Sequence, residues 1–155
     1  MKAALMLTFL AAAAVGQNTG LTVTMGLEKA SVGEKIYLPV TIDAKTGSLP
    51  SSLQWTFRLP DGVEFMDFAA GAAALAANKQ IQCNRSNYVC TVTGLNQNLI
   101  GSGVVGYMIL KLSKSFTKGV VRIGNLYATT PDGYAITSLD GRTGFIETSI
   151  FVHHH

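Results

Sequence analysis

From residue 21 onward the chain consists of short segments in which apolar and polar side chains alternate, with Gly, Pro, Asn and Asp between them. A period of two is typical of strands that bury one face, and the turn residues recur at intervals of roughly ten residues. We predict strands at residues 35–42, 53–59, 63–65, 79–83, 88–93, 103–113, 119–129, 133–138 and 144–151. This pattern predicts an all-β fold in which about nine strands form an antiparallel sandwich of two packed sheets.

Three local features qualify this pattern. Residues 68–78, FAAGAAALAAN, are rich in alanine, which loses little entropy in a helix, so we predict one short helical turn there. Trp55 lies on the apolar side of its predicted strand and is therefore expected in the core. Pro39 cannot donate a hydrogen bond within a sheet, which predicts an edge strand or a bulge at that position.

The segment GVVGYMILKLS, residues 103–113, is apolar on both sides of its predicted strand. Simple alternation places Val105, Tyr107 and Ile109 on the side opposite a second apolar set, Val104, Met108, Leu110 and Leu112. A strand with two apolar sides must be covered twice, so one side is expected to contact something beyond the core. Tyr37 also lies opposite the core-facing residues of its strand. Val105, Tyr107, Ile109 and Tyr37 are therefore the predicted interaction face.

The two ends of the chain differ in character from this middle part. In MKAALMLTFLAAAAVGQ one Lys precedes an apolar run and small residues, the layout of a secretory signal peptide. We predict that residues 1–16 are a signal peptide; the alternative is an apolar N-terminal tail that packs on a neighbouring subunit. A bilayer span takes about 20 apolar residues, so no membrane span is predicted. Residues 153–155, His-His-His, resemble an affinity-tag remnant, which leaves residues 17–152 as a single domain.

The chain contains two cysteines, Cys83 and Cys90, in the sequence CNRSNYVC. The turn-rich residues between them predict a hairpin that brings the two side chains opposite each other. An exported chain reaches an oxidising compartment, where two facing thiols form a disulfide. We therefore predict a structural Cys83–Cys90 disulfide.

Composition restricts the function. Twelve Lys and Arg against nine Asp and Glu give a net charge of +3, and the basic residues are scattered, whereas nucleic-acid binding needs a concentrated basic face. The histidines are confined to residues 153–155, so the domain lacks the side chain that acts most often as a catalytic base. We predict no enzyme, no catalytic or metal-binding residues, no nucleic-acid partner and no cofactor, with a structural calcium ion as the alternative.

Three segments together resemble the cohesin-like modules of the carbohydrate-binding-domain superfamily. They are VGEKIYLPVTIDA followed by SLQWTFRLPDGVEF, then NLIGSGVVGYMILKL, then ATTPDGYAITSLDGRTGFIET. The resemblance implies a jelly-roll sandwich exported by a bacterium, with a non-catalytic role in contact with protein or polysaccharide. It transfers no functional residue to this chain, because the cysteine hairpin and the Ala-rich turn depart from the cellulosomal pattern.

The leading hypothesis is a secreted or cell-surface binding and adhesion module that acts through a sheet face. One alternative is a structural subunit of a surface filament, a homo-oligomer assembled through the N-terminal apolar segment. Another is a carbohydrate-binding module, because exposed tyrosines offer flat apolar surfaces to sugar rings.

Overall fold

The computed structural model describes residues 20–31, 33–45 and 47–148, which form two packed β-sheets and one short helix. The predicted signal peptide at residues 1–16 and the histidines at residues 153–155 lie outside these ranges. The all-β, two-layer architecture predicted from the alternation is confirmed.

The five-stranded sheet has the order β10 (Leu139–Arg142), β1 (Leu21–Met25), β3 (Lys35–Ala44), β8 (Gly103–Leu112) and β5 (Val63–Ala70). The six-stranded sheet has the order β2 (Leu27–Ala30), β11 (Gly144–Thr148), β9 (Lys118–Thr129), β4 (Ser52–Arg58), β7 (Val89–Thr93) and β6 (Gln80–Cys83). Helix α1 (Ala72–Ala76) follows β5 at the side of the sandwich. The described residues therefore form eleven strands rather than the predicted nine.

The count differs because β1, β2 and β10 are additional to the predicted strands, whereas residues 133–138 form no strand. The first and last parts of the domain each change sheet. The chain leaves β1 at Gly26 to enter β2, and it leaves β10 at Thr143 to enter β11. At these crossings the two segments run side by side in parallel, so the sandwich is not purely antiparallel as predicted. Phe145 N donates to Gly26 O at 3.1 Å. A Cβ on Gly144 would lie 2.7 Å from Gly26 O, so only glycine permits this close approach of the two backbones.

The core lies between the sheets and consists of the apolar side chains that alternation assigned to the inner faces. Trp55, Leu38, Leu110 and Ile146 are fully buried, which confirms the core position of the tryptophan. Each large apolar side chain removed from water contributes about 1.5–3 kcal/mol to folding before entropy is counted. The side chains on the inner faces thus stabilise the sandwich, and those on the outer faces are available for binding.

Three local predictions need correction. Residues 68–70 of the Ala-rich stretch extend β5, and the helix is limited to Ala72–Ala76. Residues 133–138 do not form a strand, although Ala135 makes an isolated bridge to Thr129. Pro39 lies in an inner strand rather than at an edge, and of the two predicted alternatives the bulge is the one observed, because the register of β3 with β8 shifts between Val40 and Thr41. Pro39 is tolerated because the pairing of β1 with β3 ends at Val40, one residue away, where the chain crosses to the other sheet.

Candidate interaction faces

The outer surface of the five-stranded sheet carries an apolar patch on its inner strands. Tyr37 of β3 lies opposite Ile109 of β8, and in the next row Pro39 lies opposite Tyr107. Ala69 of β5 extends the second row on the other side of Tyr107. Tyr37 is 53% exposed, while Tyr107 and Ile109 are half-buried by their neighbours. We call these five residues the tyrosine face; it contains three of the four side chains predicted from the sequence.

Val105, the fourth predicted residue, does not belong to this face. Its side chain is fully buried, because the pairing of β3 with β8 shifts by one residue where Val40 pairs with Gly106 and Thr41 with Val104. Val105 is the extra residue of this β-bulge, and a bulge reverses the alternation beyond it. The simple alternation used for residues 103–113 was therefore wrong for Val104 and Val105.

Charges of both signs lie at one end of the tyrosine face. Lys111 lies between Lys35 and Glu64 in one cross-strand row, and Asp67 lies opposite Ile109 in the next. Each of these four charged side chains is exposed. The face thus joins an apolar centre to a mixed, nearly balanced set of charges.

The outer surface of the six-stranded sheet contains a concavity of about 520 Å³ that is lined in part by two arginines. Arg58 of β4 and Arg122 of β9 are direct partners in the register, and both are exposed. The remaining polar lining includes Thr56, Asn87 and Asn125. We call this concavity the arginine groove.

Local backbone features of β9 make the groove concave. Gly124, the partner of Thr56, lacks a side chain, and a Cβ there would meet only Thr56 Oγ1 within 4 Å, at 3.5 Å. The register of β4 and β9 then shifts, and Asn125 adopts a left-handed conformation with φ of 47° at this bulge. Asn125 Nδ2 donates to Thr56 Oγ1 at 3.3 Å, which holds the amide side chain at the groove.

The rim of the groove comes from the hairpin that joins β6 to β7. Cys83 and Cys90 are direct partners in this hairpin and form the predicted disulfide, with Cα atoms 4.0 Å apart. Tyr88 has a φ of 56°, which costs on the order of 1–3 kcal/mol for a bulky residue. Its ring stacks on Phe57 with centroids 4.8 Å apart, a contact that offsets this cost. The disulfide and the stacked ring together fix Asn87 and Tyr88 beside the arginines.

The groove is positively charged, and its lining includes no carboxylate. Within the described ranges the one ion pair joins Arg142 to Asp140, on the five-stranded sheet. The alternation of β4 and β9 marks Arg58 and Arg122 as outward-facing. Their proximity could not be predicted from the sequence, because nothing local in the sequence gives the pairing register of two strands so far apart along the chain.

A buried lysine supports the structure away from both faces. Lys79 is 3% exposed; its Nζ donates to Asn96 O at 3.0 Å and to Ser51 Oγ at 3.3 Å. Burial lowers the pKa of Lys79, because the charged form loses hydration. The two hydrogen bonds tie the segment between α1 and β6 to the loop between β7 and β8, through Asn96, and to the connection between β3 and β4, through Ser51, which is a structural role.

The described residues contain neither a cluster of metal ligands nor a helix that could span a membrane. Among residues 20–31, 33–45 and 47–148, no three His, Cys, Asp or Glu side chains are grouped as a metal site would require. In the part of the chain that the structure describes, no helix has the length and apolarity to cross a bilayer.

Comparison with solved structures identifies the fold as cohesin-like. A non-cellulosomal cohesin from the archaeon Archaeoglobus fulgidus matches with a TM-score of 0.69 at 16% identity, covering 88% of this chain and 99% of that chain. A type I cohesin–dockerin complex from Clostridium thermocellum gives 0.66 at 16% identity, covering 84% and 94%. The third ScaC cohesin of Acetivibrio cellulolyticus, in complex with the ScaB dockerin, gives 0.66 at 19% identity, covering 84% and 99%. No family model and no curated protein matches the sequence.

Proposed function

We propose that this domain is an exported, non-catalytic binding module that contacts a protein partner through the tyrosine face. The observation that carries the proposal is the assembly of Tyr37, Tyr107 and Ile109 on the outer surface of two inner strands. Aromatic side chains are enriched in the cores of protein interfaces, where they bury a large area at small entropic cost. The surrounding charges of both signs would form the polar rim that such interfaces have.

The fold supports a role in protein recognition. Several solved structures with this fold are cohesins in complex with dockerins, which are protein–protein complexes. This chain shares less than a fifth of its residues with these cohesins. We therefore propose the same mode of action, recognition of a protein by a rigid sandwich, but we propose no particular partner. The Cys83–Cys90 disulfide and the predicted signal peptide support export, because disulfides persist in oxidising compartments.

The test compares the wild-type domain with a double variant, Tyr37→Ala and Tyr107→Ala, in affinity capture from the secreted fraction of the source organism. The control is Tyr134→Ala, since Tyr134 is 73% exposed in a loop away from this face. Captured proteins are identified by mass spectrometry, and binding of the best candidate is measured by calorimetry. Loss of two interface tyrosines should weaken binding at least about 30-fold, while the control changes it little.

Three outcomes would contradict this proposal. Equal binding by the double variant would remove the tyrosine face from recognition. Light scattering that shows self-association, lost in the double variant, would indicate the homo-oligomer alternative. Binding to cellulose, chitin, xylan or starch that is lost in the same variant would indicate a carbohydrate-binding module.

A further inference from the structure

The arginine groove contains a pair of like charges whose repulsion destabilises the sheet and which the fold does not require. Arg58 and Arg122 lie directly opposite each other, and like charges in that position destabilise a sheet by about 0.2–1 kcal/mol. The groove lining offers no carboxylate to compensate this repulsion. The pair therefore adds a repulsion to the sheet that no residue of the groove lining balances.

We propose that the arginine groove is a second binding site, which receives the carboxylate groups of an acidic peptide segment from a partner protein. A guanidinium group presents its N–H donors in a planar fork that fits a carboxylate in a bidentate arrangement. Directly opposed residues on neighbouring strands have Cβ atoms about 5 Å apart, so both guanidinium groups can reach one carboxylate or two adjacent ones. The anion removes the repulsion between the arginines.

The surface beside the groove favours a peptide over an acidic polysaccharide. Val120 is two residues from Arg122 on the same side of β9, and in the register it lies opposite Phe145, which lies opposite Leu27. Leu27 is 73% exposed and Val120 is 38% exposed, so this row offers apolar surface at the edge of the positive groove. A peptide can place an aliphatic side chain on this row next to its carboxylate, whereas a polyuronate carries no such side chain.

This site does not depend on the tyrosine face. The two surfaces belong to different sheets and face in opposite directions, with the core between them. Failure of the proposed function would therefore leave the groove proposal standing, and the reverse also holds.

The test is a titration of the isotope-labelled domain, observed by NMR, with the peptide acetyl-Glu-Leu-Glu-amide at low salt. The matched probe is acetyl-Gln-Leu-Gln-amide, which has the same shape without the charges. We expect shifts at the Nε–H signals of Arg58 and Arg122 and at the amide of Gly124 with the acidic peptide only. The double variant Arg58→Gln with Arg122→Gln should lose at least tenfold in affinity. Arg142→Gln removes a charge elsewhere and should change the affinity less than twofold.

Several outcomes would overturn the proposal. These are no shifts at the two arginines, equal binding of the two peptides, or unchanged affinity in the double variant. A tetragalacturonate that binds at the arginines more tightly than the acidic peptide would assign the groove to a polysaccharide instead. Thermal unfolding supplies a separate check: a melting temperature of the double variant equal to or above wild type supports the proposal, and a clear decrease would make the arginines structural.

Discussion

The tyrosine face and the arginine groove lie on opposite surfaces of one sandwich, yet their chemistry differs. The tyrosine face is apolar at its centre and has Lys35, Lys111, Glu64 and Asp67 at one end. The groove is cationic, and its lining combines polar with apolar residues but includes no anion. Both surfaces consist of the outward-facing residues of strands in which inward and outward side chains alternate. The fold requires apolar residues only at the inward-facing positions. The residues at the outward-facing positions can therefore vary among proteins that share this fold. The tyrosine face and the arginine groove accordingly suit different ligands.

The two surfaces also differ in how the backbone supports them. The tyrosine face lies on the long central strands β3 and β8, whose shared register spans most of their length. The groove depends on Gly124, on the bulge at Asn125 and on a hairpin closed by a disulfide. Local changes should therefore affect the groove more readily than the tyrosine face, while a change in the core should destroy both.

The largest effect is expected from a charge placed at Val105. Val105 is fully buried, so Val105→Asp would bury an unpaired carboxylate at a cost of several kcal/mol. This cost is comparable to the whole stability of a small domain, which is about 5–15 kcal/mol, so the variant should be largely unfolded. Circular dichroism and thermal unfolding measure this directly.

Tyr107→Asp, two residues along the same strand, is the matched comparison for Val105→Asp. Its side chain lies on the outer surface, so the variant should keep the wild-type spectrum. A folded Val105→Asp together with an unfolded Tyr107→Asp would reverse our assignment of the two sides of β8.

A smaller effect is expected from removing the disulfide by Cys83→Ser with Cys90→Ser. The loss of so short a covalent loop should lower the free energy of unfolding by about 2.5 kcal/mol. Hydrogen exchange should increase most in β6, β7 and the turn that carries Asn87 and Tyr88. Binding of the acidic peptide should weaken more than binding at the tyrosine face. An equal rise of exchange in β3 and β8 would show that the hairpin is not an independent support of the groove.

The smallest effects are expected from exchanging charges between the two surfaces. Arg58→Glu would replace a like-charged pair by an opposite-charged pair and should raise the free energy of unfolding by about 0.2–1 kcal/mol. Glu64→Lys would place three cations in one row with Lys35 and Lys111 and should lower it by a similar amount. Urea unfolding at low and high salt separates these electrostatic terms, because salt screens exposed charges. Changes of the same sign in both variants would contradict the account of charge pairing.

The sequence was sufficient to predict the all-β class, the core position of Trp55 and the Cys83–Cys90 pairing. Each of these depends on residues close together along the chain: alternation within one strand, or a turn between two neighbouring strands. The same local reasoning placed Tyr37, Tyr107 and Ile109 on an outer surface, and the structure brings them together. It failed at Val105, because a bulge depends on how two distant strands share their hydrogen bonds.

What the amino-acid sequence determined by itself is therefore which side chains face inward along most strands. Burial of apolar side chains with a period of two is a property of each segment alone. Only the tertiary structure decided which strands pair and in which register, where the first and last segments cross between sheets, and that Arg58 lies opposite Arg122. These features follow from packing among residues distant along the chain, where each strand could pair in several registers until the whole core selects one.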